Sequence, residues 1–262
     1  MEDRPRRPRG DTSWEGVSRW YDRSLGADGN YYHQRVVLPG ALRLLGLAGA
    51  ARGSLLDLGC GQGVLERQLP PAVEYWGVDA SAALISAACR RGGRGRHFVV
   101  GDATRELPVP KKDFTHAAAI LSLQNMDGGD QAVANAARHL APAGRFVIVL
   151  NHPCFRIPRQ SSWEVDAQNK LQYRRVNRYA SPLRIPLQAH PSQGQGSPVT
   201  WSFHHPVSDY GRWLKASGFL IESIEEWSSD KVSVGKAARQ ENLSRREFPL
   251  FLVFSARLER KS

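Results

Sequence analysis

Asp57-Leu58-Gly59-Cys60-Gly61-Gln62-Gly63 decides the reading of this chain, because it joins the apolar run Leu55-Leu56 to the helical pattern Val64 to Leu69. Three glycines at alternate positions let the backbone turn tightly between a strand and a helix and approach a ligand closely. The N–H groups at the start of the expected helix favour a negative group such as a carboxylate. Twenty residues beyond Gly59, the run Tyr75-Trp76-Gly77-Val78 ends in Asp79, where a carboxylate can accept hydrogen bonds from a ribose hydroxyl pair. Turn and spaced acid together predict an adenosine-containing cofactor. A dinucleotide is the rival ligand, but the G-x-G-x-x-G/A fingerprint requires a small residue where Val64 stands. A third acid, Asp102, follows Phe98-Val99-Val100-Gly101 at another strand end, although its type and place also suit a turn cap.

Outward from this segment, short apolar runs alternate with helical patterns. Phe114 to Leu121 reads as a strand, about 130 to 140 as a helix, Pro142-Ala143-Gly144 as a turn and Phe146 to Leu150 as a fifth strand. Strands separated by single helices imply right-handed crossovers, hence an α/β fold with a mostly parallel seven-stranded sheet and helices on both faces. Residues 151–206, rich in Pro, Gln, Ser and Arg, interrupt the pattern with a segment far longer than the usual ~2–6-residue connection and read as a lid insertion after the fifth strand. Ser208 to Ser217 then reads as a helix stopped by Gly218, Phe219 to Glu225 and Leu250 to Phe254 as strands, and Trp227 to Arg246 as a shorter insertion. Ahead of the sheet, Trp14 to Tyr21 and Tyr31 to Leu45 are expected to form a helical cap over the strand ends. The expected division is a disordered basic tail over 1–13 and one domain over 14–262. Within that domain, 14–50 is the cap, 54–150 the ligand-binding core, 151–206 the lid and 207–258 the last part of the sheet.

With 41% hydrophobic residues over 262 positions, the chain can bury a full core. No run approaches the ~20 apolar residues of a membrane helix, and residues 1–10 lack the apolar stretch of a secretory signal. Cys60, Cys89 and Cys154 are too few and too scattered for a disulfide framework, so a reducing cytoplasm is the expected setting. The net charge of +11 would draw anions, but no basic block interleaved with aromatics marks a nucleic-acid groove, and nucleic acid is not the expected partner. Oligomeric state has no signature here.

These motifs resemble those of the Rossmann-like S-adenosylmethionine-dependent methyltransferases, over roughly Trp14 to Leu258. Leu55 to Gly63 is similar to the family's first motif, Val78-Asp79-Ala80-Ser81 to its ribose motif and Gly101-Asp102-Ala103 to its adenine motif. Leu140-Ala141-Pro142-Ala143-Gly144-Arg145 is similar to the turn before the fifth strand, with Ala143 replacing a glycine. The resemblance implies S-adenosylmethionine as cofactor, with Gly59, Gly61 and Gly63 lining methionine and ribose, and Asp57 helping to place the amino group. It further implies Asp79 and Ala80 at the ribose, Asp102 and the Ala103 amide at the adenine, and Leu121, Ser122 or Gln124 beside the sulfonium. The cap is similar to that of the ubiquinone-biosynthesis-like small-molecule methyltransferases, which makes Tyr21, Tyr32 and Arg35 candidates for the donor's carboxylate end.

Methyl transfer needs alignment and exclusion of water rather than a protein nucleophile, and a general base helps only when the acceptor loses a proton. His152, directly after the fifth strand, and His204, before the next helix, are the candidate bases, with turn histidines bonded to backbone as the alternative. His204-His205 has no clustered partners at ligand spacing, so no metal is expected. Arg156, Arg159, Arg174, Arg175, Arg178 and Arg184 in the lid fit either an anionic acceptor or a solvated surface. Trp163, Tyr173, Tyr179, Trp201 and Phe203 fit either an apolar pocket or the pinning of the lid. The expected acceptor is a small molecule. A nucleic-acid methyltransferase and a catalytically inactive donor-binding partner protein are the alternatives.

Overall fold

The computed structural model describes residues 14–49, 51–188 and 197–259; the tail expected over 1–13 lies outside the described residues. Alternation along adjacent strands sets the layers. In β1 (Gly53–Leu58), Leu56 and Leu58 face one side of the sheet and Leu55 the other. In β4 (Phe114–Ile120), Ala117 and Ala119 oppose Ala118 in the same way. In β5 (Leu140–Asn151), Phe146, Ile148 and Leu150 oppose Val147 and Val149. Side chains of period two feed two cores, which is why these strands read as continuous apolar runs rather than alternating ones.

One core packs against α4 (Gly129–His139) and α5 (Val207–Ala216) through Ala132, Val133, Ala136, Tyr210 and Leu214. The other packs against α2 (Leu38–Leu45) and α3 (Ala82–Arg91) through Leu38, Ala41, Leu45 and Ile85. With β2 (Val73–Asp79), β3 (His97–Val100), β10 (Phe219–Trp227) and β11 (Phe251–Leu258), the sheet has seven strands in the order β3-β2-β1-β4-β5-β11-β10. β11 runs antiparallel to both neighbours, and the pairs from β5 to β3 are parallel. The expected Rossmann-like fold class is therefore observed, and Gly218, at φ +81°, stops α5 as expected. The order reverses between β1 and β4, so the crevice beyond their carboxyl ends is where an open α/β sheet receives a ligand.

One local expectation is corrected. Val64 to Leu69 is not a regular helix: after consecutive turns only Glu66–Gln68 winds, as one 3-10 turn, because the segment is short and Pro70-Pro71 follows. The donors after the glycine turn are therefore turn amides, not the end of a long helix. The segment after β5 folds into two antiparallel ribbons, β6 (Ser161–Asp166) with β7 (Leu171–Val176) and β8 (Leu183–Gln188) with β9 (Val199–His204). The shorter insertion holds α6 (Ala238–Glu247). In the turn before the main run of β5, Ala143 takes φ +65°, so alanine occupies a left-handed position that glycine suits better.

The cap consists of α1 (Ser18–Leu25), after a short 3-10 turn, and α2, which continues a π-helical turn over His33–Val37. No helix among the described residues is long and apolar enough to cross a membrane.

Candidate functional site

A cavity of about 820 Å³ opens at the reversal point, within the roughly 300–1,000 Å³ range of small-molecule sites. The glycine turn forms one wall. Gly59 has φ +74°, and a Cβ there would lie 2.5 Å from the Ser122 Cβ, so both conformation and space demand glycine. The amides of Gly59 and Cys60 both donate to the Val78 carbonyl, at 2.8 and 3.1 Å, locking the turn to β2.

Asp79 is held from both sides: Gly61 N–H donates to its Oδ2 and Ser81 N–H to its Oδ1, each at 2.9 Å. Burial raises its pKa, while those two amides pull it down. Each oxygen keeps a further lone pair for a ligand donor. Asp102 lines the same cavity; its Oδ1 accepts from the Thr104 amide at 2.9 Å and hydroxyl at 2.8 Å, and its Oδ2 faces Arg105 at 3.3 Å. The expected turn cap and the position on the cavity wall thus coexist in one residue. Gly61, Ala80, Ala103, Leu121, Gln124 and Tyr21 also line the cavity.

Leu121 stands out, since a branched residue holds φ +54° just beyond β4, a strained conformation of the kind that clusters at ligand sites. Its N–H donates to the Val149 carbonyl at 2.8 Å, and its carbonyl accepts from the side-chain amides of Gln124 and Asn125. Asp57 lines a recess of about 30 Å³ that shares Tyr21, His33, Gly59 and Gly61 with the main cavity. Burial pushes its pKa up to about 7, against the pull of the Tyr75 hydroxyl 2.8 Å from Oδ2. The Tyr21 phenol is pushed up by burial and then by Asp79 and Asp57, so it stays protonated and can donate.

The cap is fastened onto these loops by residues that sequence reasoning missed. Glu15 Oε2 accepts from the Ser81 hydroxyl at 2.5 Å and the Ala83 amide at 3.1 Å, at the start of α3. Gln62 donates to the Gly26 carbonyl at 2.7 Å, while its Oε1 accepts from Arg91, which also pairs with Asp22 of α1. A long amide in the middle of a glycine turn was the available signal for Gln62; Glu15 had none.

Residues 56–148 match a family described as a methyltransferase domain. A demethylmenaquinone methyltransferase of Tropheryma whipplei (strain Twist) is 29% identical over 115 residues, 43% of this chain; the match spans about half, 47%, of that relative's length. An S-adenosylmethionine-dependent methyltransferase of Mesorhizobium loti is 25% identical over 88% of this chain and 100% of its own, with a TM-score of 0.67. Over residues 56–148 the chain is similar to the methyltransferase domain, and it shares its fold with S-adenosylmethionine-dependent methyltransferases. The CcbJ methyltransferase of Streptomyces caelestis shares the fold, at 17% identity and a TM-score of 0.62 over 96% of this chain and 100% of its own.

Two polar atoms in the cavity wall have no partner among the described residues: Gln124 Oε1, an acceptor, and Trp14 Nε1, a donor. Buried polar atoms left in this way are costly, and a ligand with a matching donor and acceptor would relieve them. The cavity thus fits a polar, nucleoside-containing cofactor.

Other expected residues lie elsewhere in the chain. Gly63 packs its backbone towards Phe98, where a Cβ would come within 3.0 Å of the ring. Arg35 is exposed and pairs with Asp230 at 3.3 Å, away from the cavity lining. Neither candidate base lines the cavity. His152 Nε2 lies 2.7 Å from Glu226, and its Nδ1 accepts from the Cys154 amide at 3.2 Å. His204 Nε2 donates to the Tyr179 carbonyl at 2.7 Å. Burial lowers the pKa of both, and their geometry is that of histidines that pin the lid. The lid aromatics named from the sequence do not line the cavity either.

Proposed function

We propose that this chain transfers a methyl group from S-adenosylmethionine to a small-molecule acceptor enclosed between the sheet edge, the cap and the lid. The observation that carries the reading is that Asp79, Asp102 and the glycine turn share one cavity with the lid residues Pro158, Leu187 and Ser202. When bound, the donor supplies an activated methyl carbon, to which an acceptor lone pair bonds as the carbon–sulfur bond breaks and its electron pair returns to sulfur.

In this reading Asp79 accepts from the two ribose hydroxyls, Asp102 and Ala103 face the adenine, and Asp57 with Tyr21 receives the donor's amino-acid end. Leu121 and Gln124 flank the sulfur from the end of β4. Gly59, Gly61 and Gly63 keep the turn low enough for close approach, with Gly63 acting through packing. Glu15 and Gln62 hold the cap over the turn, which excludes water and fixes the donor's orientation. His33 lines the cavity and burial lowers its pKa to about 4, so it is neutral near pH 7. Its Nδ1 bonds Asn30 Oδ1 at 3.0 Å, and that oxygen already accepts the Tyr32 and His33 amides, so Nδ1 carries the proton.

The enclosing lid supports a compact acceptor rather than a nucleic-acid strand. The test is incubation with donor labelled in its methyl group, a small-metabolite extract and bulk tRNA. Label in the small-molecule fraction, lost with Asp79→Ala, is expected; label in tRNA alone, or in neither, would overturn the proposal.

A further inference from the structure

We infer that Arg156 is a specificity-determining residue that holds an oxyanion of the methyl acceptor, a carboxylate or a phosphate remote from the atom that is methylated. This rests on the reading of the cavity as a methyl-transfer site and deepens it by naming the acceptor's chemistry. The lid's other arginines are largely consumed by the protein itself. Arg174 donates to the Phe155 carbonyl and the Ser161 hydroxyl and lies over the Trp163 ring, Arg175 pairs with Glu164, and Arg184 lies over Trp201. Arg156 alone among the six lines the cavity. No carboxylate among the described residues pairs with it.

Glu226 faces His152, Asp230 pairs with Arg35, and of the cavity's own acids Asp79, Asp102 and Glu15 are engaged at the glycine-turn end, while Asp127 follows β4. The packing around Arg156 pushes its pKa down from the usual guanidinium value, with the Tyr32 phenol opposing that shift. Arg156 is exposed at the cavity mouth, where its donors face solvent without a carboxylate, and a planar oxyanion is the group its fork of donors satisfies best.

The surroundings suit an amphiphilic anion. Pro158, Leu187, Leu250 and Phe251 give the cavity apolar wall, while Asn151 and Tyr32 add polar groups. Tyr32 packs edge-on to Phe251 at 6.1 Å. Acids therefore collect at the donor end, where a sulfonium would sit, and an unpaired cation at the lid end. That polarity orients an anionic acceptor with its charged group on Arg156. An oxygen whose lone pairs are drawn to a guanidinium is a poor nucleophile, so the attacking atom is a different one.

Ligand-observed NMR on the full chain loaded with S-adenosylhomocysteine tests this with three probes: benzoate, phenyl phosphate and, as neutral control, benzyl alcohol. Saturable binding of at least one anion is expected, weakened roughly tenfold or more in Arg156→Gln and partly restored in Arg156→Lys, with benzyl alcohol weak throughout. Which anion binds better separates carboxylate from phosphate. The inference is overturned if neither anion binds wild type, if Arg156→Gln leaves their binding unchanged, or if benzyl alcohol binds as well as they do. Calorimetric affinity for S-adenosylhomocysteine, measured in parallel on each variant, is expected to stay within about twofold of wild type. Its absence in wild type would contradict the methyl-transfer reading separately.

Discussion

The Gly61 amide donates to Asp79 Oδ2 at 2.9 Å, tying the glycine turn after β1 to the acid that ends β2. One hydrogen bond thus couples the shape of the turn to the orientation of the carboxylate. With the Ser81 amide on the other oxygen, it fixes Asp79 before any ligand arrives. Such pre-organisation lowers the ordering cost of binding.

Gly59→Ala should damage the fold itself. Its φ of +74° and the 2.5 Å approach to Ser122 predict a loss of about 2–3 kcal/mol from backbone strain and overpacking together. At about 2–4 °C per kcal/mol for a domain of this size, thermal melting should fall by roughly 5–10 °C. Gly61→Ala meets only Tyr21, at 3.7 Å, so it should melt closer to wild type. Equal melting of Gly59→Ala and wild type would contradict the packing described.

His33 and Asp57 should give opposite pH signatures. The His33 pKa, lowered to about 4 from its ordinary 6.5, means that the unfolded chain binds this proton first, so stability is lost as pH falls from 6.5 to 4. The Asp57 pKa, raised to about 7 from 3.8, means that the folded chain holds this proton longer, so stability is lost as pH rises from 3.8 to 7. His33→Gln should therefore lose less stability than wild type on acidification, and Asp57→Asn less on the climb to pH 7. Each difference should approach about 1.4 kcal/mol per pH unit at most. Denaturant midpoints across pH 4–7 check both signs.

Donor binding should also move a proton. An ammonium group placed beside Asp57 would favour its ionised form, so near pH 6.5 the carboxyl should shed a fraction of a proton on binding. Calorimetric enthalpies in two buffers of different ionisation heat measure this directly. Release by wild type and none by Asp57→Asn is the expected pair.

The sheet was legible because strands buried on both faces must be apolar throughout, as Leu55-Leu56 and Phe146 to Leu150 are. The glycine-turn wall of the cavity was legible because each loop carries its own local signature, a glycine turn or an acid after an apolar run. The lid was not, because a two-stranded ribbon exposed along much of its length has no face to bury. Trp163 and Glu164 are both exposed in β6, so the alternation Trp163-Glu164-Val165-Asp166 marks no buried face. His152 and His204 attracted attention as residue types at a suggestive place, but their partners, Glu226 and the Tyr179 carbonyl, lie 74 and 25 positions away. Glu15 was hidden for the same reason, since it acts 66 residues away on Ser81.

Calorimetric titration of wild type and Asp79→Ala with S-adenosylhomocysteine tests the central claim most directly. Saturable one-site binding by wild type is expected. It should weaken roughly a hundredfold in Asp79→Ala, since two hydrogen bonds to a carboxylate are worth about 3 kcal/mol or more. No binding heat from folded wild-type protein, or equal affinity in the two proteins, would contradict the account.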